Sequence, residues 1–199
     1  MIVSIHQPMH FPYMGFFQKM KMSDLFILLD DVQFSKNDKY SFYNRNKFKN
    51  SSGREEWFTV PVEKRANKKL IKDVLISEDY GWRKKLAKQM KQNFGNEFLE
   101  IYAGNKIVDV NVRSIEYCMK KLNINTKVIK SSDLNVGGLK SERLYNLCKK
   151  VEASEYVSGP FGKYYLDKEL FSDIKVTIFE PKVENHYTAL TYFDNRSSQ

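Results

Sequence analysis

The first thirty-one residues of the chain predict a strand, a helix and a second strand in immediate succession. Apolar runs over residues 1–5 and 25–29 flank residues 15–22, in which apolar side chains recur at helical spacing. Units of this kind normally form a parallel pair of strands joined by a right-handed crossover. The opening therefore predicts an α/β fold with a largely parallel sheet.

The rest of the chain continues the alternation of helices and strands. Helices are predicted over residues 80–94, 109–122 and 141–151, and strands over residues 72–76, 126–129, 156–157 and 175–179. This alternation predicts a single Rossmann-like α/β domain over residues 1–195, in which helices flank a mostly parallel sheet. Residues 196–199 are expected to form a disordered tail.

Residues 38–62 differ from the segments around them. Their aromatic side chains are spaced among Asn, Lys and Arg, and Ser51-Ser52-Gly53 supplies a turn in the middle. Such a pattern predicts an aromatic-rich hairpin arm that ends in a strand over residues 57–62.

Polar side chains follow the first two predicted strands. His6 and Gln7 come directly after the first apolar run, and Asp30 and Asp31 close the second. In open parallel sheets ligands bind beyond the carboxyl ends of the strands, so these four residues are expected at one edge. His6, Asp30 and Asp31 are the predicted catalytic residues, because an imidazole or a carboxylate can accept a proton from a substrate.

Two structural alternatives remain open for these residues. His6 can simply cap the strand, and an aspartate can cap the following turn. Because successive side chains at a strand end point to opposite sides, only one of Asp30 and Asp31 is expected to face the site.

Further residues predict contacts to an anionic or sugar-bearing ligand. Lys36 and Arg45 offer charge-assisted bonds to phosphate, and Gln33 lies close to them in the sequence. The triplet Asn44-Arg45-Asn46 is interpreted as a polar recognition loop. Backbone amides of Ser158 and Gly159, after a predicted parallel strand, suit a phosphate or a carboxylate.

Composition narrows the partners without selecting one. The 33 Lys and Arg residues exceed the 24 Asp and Glu residues and give a formal charge of +9, which favours anionic partners. The chain lacks the glycine-rich, nucleophile-elbow and zinc-protease motifs of the common nucleotide-binding and hydrolytic families. No metal is expected, because prolines at positions 8 and 12 surround the HxxxH spacing of His6 and His10.

The remaining sequence features concern location. Cys118 and Cys148 lie in apolar-periodic segments and are expected to be reduced core thiols. No apolar run approaches the ~20 residues that cross a bilayer, and no charged-then-apolar leader precedes Ile2. A cytoplasmic protein without a membrane span is therefore expected.

Several motifs resemble those of the WbqC-like protein family. The resemblance rests on Ile5-His6-Gln7-Pro8, Pro12-Tyr13-Met14-Gly15-Phe16-Phe17-Gln18-Lys19, Ser23-Asp24, Leu29-Asp30-Asp31-Val32-Gln33-Phe34-Ser35-Lys36, Asn44-Arg45-Asn46, Thr59-Val60-Pro61-Val62, Trp82-Arg83, Ser131-Ser132-Asp133-Leu134, Glu142-Arg143-Leu144 and Tyr156-Val157-Ser158-Gly159. It spans almost the whole chain. Met9-His10 stands where the family has asparagine and tyrosine, so no role is carried over to His10.

The resemblance implies a function in bacterial surface-polysaccharide biosynthesis, O-antigen in particular. The expected enzyme places a small acyl or aminoacyl group on the amine of a nucleotide-linked amino sugar, without a tightly bound cofactor and with acyl-CoA or a similar donor. The expected substrate-binding residues are Gln7, Tyr13, Lys19, Gln33, Lys36, Asn44, Arg45, Asn46, Ser158, Gly159 and Tyr165.

Two rival functions stay open. An ATP-dependent adenylate-forming ligase is suggested by an analogy with nucleotidyl-transferring α/β enzymes such as pantothenate synthetase, although the second histidine of their HxGH loop is absent here. A non-enzymatic module is the other rival, in which the arm at residues 40–57 binds single-stranded nucleic acid by stacking. The chain has no RNA-binding signature, which counts against the second rival.

Overall fold

The computed structural model describes residues 1–35, 42–79, 81–95 and 98–193. Its strands are β1 (Ile2–His6), β2 (Leu25–Leu28), β3 (Arg45–Lys49), β4 (Glu55–Thr59), β5 (Lys127–Lys130), β6 (Glu155–Ser158) and β7 (Lys175–Ile178). Its α-helices are α1 (Met14–Lys21), α2 (Gly81–Phe94), α3 (Ile107–Lys121), α4 (Lys140–Lys150) and α5 (Gly162–Tyr165).

The chain divides into two compact units. The first, here called the sheet unit, comprises Met1–Gln7, Gly15–Asp31 and Ile124–Glu184. The second, here called the hairpin unit, comprises Pro8–Met14, Val32–Asn123 and Asn185–Gln199. Each unit is described by itself.

The sheet unit contains a parallel five-stranded sheet with the strand order β5-β2-β1-β6-β7. All four residues of β2 are buried, as are the three central residues of β1, which is the burial expected of strands covered on both faces. Along the chain the sheet grows from β1 first toward β5 and then toward β7. The strand order therefore reverses at β1, between β2 and β6.

The helix α1 packs on this sheet through its apolar side chains. Phe16 and Phe17 are buried, and the ring of Phe16 lies 4.9 Å from that of Phe26 in β2. The Ser23 hydroxyl, just after the helix, donates to the Ser4 hydroxyl in β1 at 2.6 Å. These contacts hold α1 and the residues after it against the middle of β1 and β2.

The hairpin unit is built around the antiparallel pair of β3 and β4, in which Lys47 is paired with Trp57. The inward side chains of the pair, Phe48 and Phe58, are fully buried. The ring of Phe48 lies 5.0 Å from that of Phe94 at the end of α2. Alternation of buried and exposed residues along both strands produces this one-sided core.

The α/β class and the mostly parallel sheet flanked by helices are confirmed. A hairpin is found in the described part of the predicted arm, residues 42–62, but its second strand is Glu55–Thr59 and not residues 57–62. The strand predicted over residues 72–76 is wrong, because Ile71–Asp73 forms a 3-10 turn. There the amides of Asp73 and Val74 donate back to the carbonyls of Leu70 and Ile71, so they cannot pair with a neighbouring strand. The Rossmann-like classification and the single domain over residues 1–195 stay predictions.

The cysteines are buried and free, in agreement with the prediction of core thiols. Burial raises the pKa of the Cys148 thiol to about 12 and raises that of Cys118 further, so both stay protonated near neutrality. The tail predicted over residues 196–199 lies outside the described residues.

Candidate functional site

The carboxyl ends of the parallel strands bring several polar side chains to one edge of the sheet unit. His6 is the last residue of β1, Ser158 is the last residue of β6, and Ser131 directly follows β5. Asp30 and Asp31 lie just beyond the end of β2. Because the strand order reverses at β1, this edge contains the switch point at which open α/β sheets bind their ligands.

Asp30 is held by the segment that follows β5. Its Oδ1 accepts from the Ser132 amide at 3.0 Å and lies 3.2 Å from the Ser131 hydroxyl, and its Oδ2 accepts from the Ser132 hydroxyl at 2.8 Å. The side chain is buried, with both oxygens engaged. Asp30 therefore ties the ends of β2 and β5 together.

Asp31 joins the same cluster. Its Oδ1 accepts from the Ser131 hydroxyl at 2.6 Å, and its Oδ2 forms an ion pair with the Arg143 guanidinium from α4. The two paired side chains are only 15% and 11% exposed. Asp30 and Asp31 do not point to opposite sides as expected, because both contact Ser131. That only one of them faces a ligand stays a prediction. Extended-strand alternation does not apply to residues that lie beyond the last residue of β2.

His6 lies beside this edge with its ring partly buried. Its Nδ1 is 2.9 Å from the Gln7 carbonyl oxygen, and its ring packs edge-on against Phe16 at 5.1 Å. Burial, followed by the charge of Lys19, lowers the pKa of His6 to about 3, although the Gln7 carbonyl opposes the shift. The imidazole is therefore neutral near neutrality. With an Nδ1–H that donates to Gln7, its Nε2 is left as a hydrogen-bond acceptor.

Lys19 is a buried cation on α1. Its side chain lies in the sheet unit with 4% of the residue exposed, and Nζ donates to the Ile5 carbonyl at 3.0 Å. Nζ is also 5.7 Å from the ring centroid of Phe26. Burial lowers the pKa of Lys19 to about 7. Within residues 1–35, 42–79, 81–95 and 98–193, no carboxylate oxygen lies within 4.0 Å of this ammonium group.

Ser158 and the loop after β6 form the other side of the switch point. The Ser158 hydroxyl is fully buried and has no hydrogen-bond partner among the described residues. Gly162 packs directly on it, since a Cβ atom at position 162 would come within 2.2 Å of Ser158 Oγ. Tyr165 is exposed, and its carbonyl accepts from the Ser141 hydroxyl at 2.9 Å. The carbonyl of Gly159 accepts from the Gly162 amide at 2.9 Å.

Two predicted ligand contacts in the hairpin unit are structural. Arg45 and Asn46 belong to β3, so the predicted recognition loop at residues 44–46 is wrong. The amide nitrogen of Asn46 donates to the His10 and Phe11 carbonyls at 3.1 Å and 2.7 Å, and that of Asn44 donates to the Val60 carbonyl at 2.9 Å. The loop prediction failed because asparagine side chains that bind the backbone have the same sequence signature as those that bind a ligand.

The other predicted residues of this unit make different contacts. The ring of Tyr13 packs against His186 at 5.0 Å, and the Gln33 amide donates to the Asn67 carbonyl at 2.9 Å. The guanidinium of Arg45 lies over the Trp57 ring at 4.7 Å. Lys36 lies outside the described residues.

Sequence reasoning missed three residues of the cluster at the sheet edge, namely Ser131, Ser132 and Arg143. The two serines carried a usable signal, because they directly follow a predicted strand in the same way as Asp30 follows β2. The charge pattern around Arg143 gave no signal, since a charge inside a helical segment normally indicates a solvent-facing side. Only the motif Glu142-Arg143-Leu144 singled this residue out.

Neither a metal site nor a membrane span is found in the described part of the chain. No group of three or more His, Cys, Asp or Glu side chains in those residues is placed to hold a metal ion. None of the helices described there has the length and apolar character to cross a bilayer.

Comparisons with known proteins agree with the resemblance seen in the sequence. The WbqC-like protein family matches residues 7–194. A Mycobacterium tuberculosis (strain ATCC 25618 / H37Rv) protein described as "Uncharacterized protein Rv1507c" is 31% identical over 189 residues, which covers 88% of this chain and 80% of that protein. No solved structure shows a significant match to the chain.

Proposed function

The chain belongs to the WbqC-like protein family, and from that premise we propose that it is a transferase of bacterial surface-polysaccharide biosynthesis. Its reaction places a small acyl or aminoacyl group on the amine of a nucleotide-linked amino sugar. One observation carries the proposal. His6, Lys19, Ser158 and the aspartate cluster, which is Asp30 and Asp31 with their partners Ser131, Ser132 and Arg143, lie at the carboxyl edge of one parallel sheet, where its strand order reverses.

The chemistry assigned to this edge is proton removal from an attacking amine. The amine nitrogen attacks the carbonyl carbon of a thioester donor, a C–N bond forms, the C–S bond breaks, and the proton of the amine ends on the departing thiolate. His6 is neutral and has an Nε2 acceptor through which the proton can pass from the amine to the thiolate. With a pKa of about 3 it is too weak a base to keep that proton, so the transfer is completed as the C–S bond breaks. General acid–base assistance of this kind contributes about 10²- to 10⁴-fold in rate.

Asp30 and Asp31 act in this proposal as positioning residues. The oxygens of both carboxylates already accept hydrogen bonds or an ion pair from Ser131, Ser132 and Arg143. A carboxylate so engaged is a poor acceptor for a further proton. The two carboxylates instead hold the ends of β2 and β5 in register beside the site.

The test is an acyl-transfer assay with nucleotide-linked amino sugars and acetyl-CoA, read as release of free thiol and as the mass of the acylated sugar. We expect His6→Gln to lower kcat about 100-fold or more. His186→Gln, a change at an exposed histidine, should leave kcat unchanged. Equal rates for wild-type protein and His6→Gln would overturn the role of His6.

The same assay separates transfer from ligation. Turnover that needs ATP and releases pyrophosphate would replace this proposal with an adenylate-forming ligase. Absence of acylation with any thioester or with ATP would overturn the enzymatic function.

The hairpin unit favours a second candidate, binding of single-stranded nucleic acid. Trp57 is 40% exposed, and Arg45 and Lys47 approach its ring at 4.7 Å and 5.7 Å. The ring of Phe42 stacks nearly parallel to it, at 6.2 Å and an angle of 6°. Aromatic rings beside cations are the usual platform for stacked bases.

Fluorescence anisotropy of a labelled short single-stranded oligonucleotide, titrated with the protein, tests this candidate. Binding should weaken as salt rises and should be reduced about tenfold in Trp57→Ala, since stacking contributes about 1–3 kcal/mol per base. The control is Trp82→Phe, because Trp82 lies in α2 and donates to the Ser77 carbonyl. Lack of binding at low salt would exclude this function.

A further inference from the structure

The pairing of β1 with β6 ends before the last carbonyl of β1 that points toward β6, which is the carbonyl of Ile5. The carbonyls of Ile2 and His6 accept from Asp24 and Leu29 on the β2 side of the strand. Successive carbonyls of a strand alternate in direction, so the carbonyl of Ile5 points to the β6 side. The last pair of that ladder is Ser4 with Val157, and the Ile5 carbonyl therefore lies just beyond it.

Lys19 reaches this carbonyl from α1. Its Nζ donates to the Ile5 oxygen at 3.0 Å. The ammonium group is thereby placed where β1 and β6 part at the carboxyl edge, which is the switch point of the sheet. His6, the next residue along β1, is near enough that the charge of Lys19 contributes to lowering the pKa of the imidazole.

The ammonium group has more hydrogen-bonding capacity than its surroundings use. It carries three donors, and the described residues provide one acceptor, the Ile5 carbonyl. The other deeply placed cation of the sheet unit, Arg143, has the Asp31 carboxylate as its partner. A buried charge without a counter-ion is unfavourable, and an anionic ligand would remove that deficit.

We infer that Lys19 is the binding group for a diphosphate at the point where β1 and β6 separate. This inference rests on the proposed function and specifies it, since a nucleotide-linked sugar carries a diphosphate. A diphosphate held by Lys19 would lie next to His6. The nucleotide would then be anchored beside the group that receives the proton of the amine.

Lys21 provides a matched control for Lys19. It lies two residues further along α1 and is exposed to solvent. Replacement of each lysine by methionine removes the charged group and keeps an unbranched side chain that is one heavy atom shorter. Only the buried position is expected to affect binding.

The experiment is calorimetric titration of wild-type protein, Lys19→Met and Lys21→Met with inorganic pyrophosphate, without an acyl donor. Wild-type protein and Lys21→Met should bind with equal affinity, and Lys19→Met should bind at least tenfold more weakly. Equal affinity in all three proteins, or no binding in any of them, would overturn the inference. Because no transfer is measured, this result is independent of the acyl-transfer assay.

A second measurement uses wild-type protein alone, so it does not depend on whether the variants fold. The resonance of the Lys19 ε-carbon, followed against pH in wild-type protein, reports the pKa of this amine with and without pyrophosphate. Binding to the ammonium form should raise that pKa by about one unit or more. An unchanged pKa at saturating pyrophosphate would mean that Lys19 only caps the Ile5 carbonyl.

Titrations with a nucleotide diphosphate and with coenzyme A identify the source of the diphosphate. Loss of nucleotide diphosphate binding in Lys19→Met, with coenzyme A binding retained, assigns the site to the sugar nucleotide. The reverse pattern assigns it to the donor and would overturn the assignment to the sugar nucleotide.

Discussion

Buried polar side chains have different kinds of hydrogen-bond partners in the two units. In the hairpin unit the amides of Asn44, Asn46 and Asn111 donate to main-chain carbonyls. At the edge of the sheet unit, Asp31 pairs with Arg143, Asp30 accepts from serines, and Lys19 donates to a single carbonyl. Neutral amides on the backbone fix the path of loops. At the edge of the sheet unit, Lys19 has donors for which the described residues provide no acceptor.

The comparison teaches that burial alone does not identify a ligand-binding residue. Asn46 and Lys19 are both almost completely buried, and both were expected to contact a substrate. The two amide donors of Asn46 each have an acceptor, whereas the ammonium group of Lys19 has one acceptor for three donors among the described residues. Asn46 and Lys19 therefore differ in whether all of their hydrogen-bond donors have an acceptor among the described residues.

Removal of Arg143 should produce the largest loss of stability. Arg143→Met leaves the Asp31 carboxylate without its counter-ion in a mostly buried position, and we expect the free energy of unfolding to fall by about 4 kcal/mol. Denaturant unfolding measures the change. Lys149→Met, at an exposed position of the same helix, breaks the pair of Lys149 with Asp173 and should leave stability almost unchanged.

The double variant sharpens this prediction. Asp31→Asn combined with Arg143→Met removes both charges and should recover much of the loss. The outcome that contradicts this prediction is additivity. If the losses in free energy of unfolding caused by Asp31→Asn and by Arg143→Met simply added up in the double variant, the two residues would not be coupled. The aspartate cluster would then not depend on Arg143.

Asn46→Ala tests the amide network of the hairpin unit. The change leaves the His10 and Phe11 carbonyls without their donor in a buried position, and should lower the free energy of unfolding by about 3 kcal/mol. Asn67→Ala, at an exposed position, is the control. If ligand affinity fell in Asn46→Ala with stability unchanged, Asn46 would belong with Lys19 as a ligand contact.

Lys19 should make stability depend on pH above neutrality. Its pKa is lowered from 10.5 to about 7 in the folded protein, so between these values the unfolded chain binds more protons and stability rises with pH. From about pH 6 to pH 9 the gain should be about 2.5 kcal/mol. Lys19→Met should lose this rise and Lys21→Met should keep it. The same slope in all three proteins would contradict a desolvated amine at position 19.

The sheet could be predicted from the sequence because its signals are local. The apolar runs that became β1 and β2 end in polar residues, and the intervening helix has regular spacing. Positions of His6, Asp30 and Ser158 at the strand ends followed directly. The segment at residues 72–76 was predicted wrongly because a short apolar run has no period that separates a strand from a turn.

The partners of the site residues could not be predicted, because they depend on contacts between distant segments. The pairing of Asp31 with Arg143 joins positions that are 112 residues apart. The position of Lys19 beside the Ile5 carbonyl depends on where the β1–β6 ladder stops, which the sequence does not encode locally. Asn46 has the composition of a recognition residue, and only its backbone acceptors show its structural role.

His10 provides the smallest expected effect and the last test of the comparison. Burial lowers its pKa from 6.5 to about 3, so the unfolded chain takes up a proton that the folded chain does not, and stability falls as the pH is lowered below 6.5. Between about pH 7 and pH 5 the loss from His10 should be about 2 kcal/mol. Tyr102→Phe removes the hydroxyl 3.4 Å from His10 Nε2 and should leave this slope unchanged, because burial causes the shift.

His6 has a shift of the same size and direction, but the charge of Lys19 contributes to it. Lys19→Met should therefore reduce the part of the acid sensitivity that comes from His6 and leave the part that comes from His10. Unfolding measured against pH in His10→Phe, with and without Lys19→Met, separates the two parts. An acid slope that Lys19→Met does not change would mean that the charge of Lys19 does not reach His6, and would remove the link between the cation at the switch point and the proton acceptor beside it.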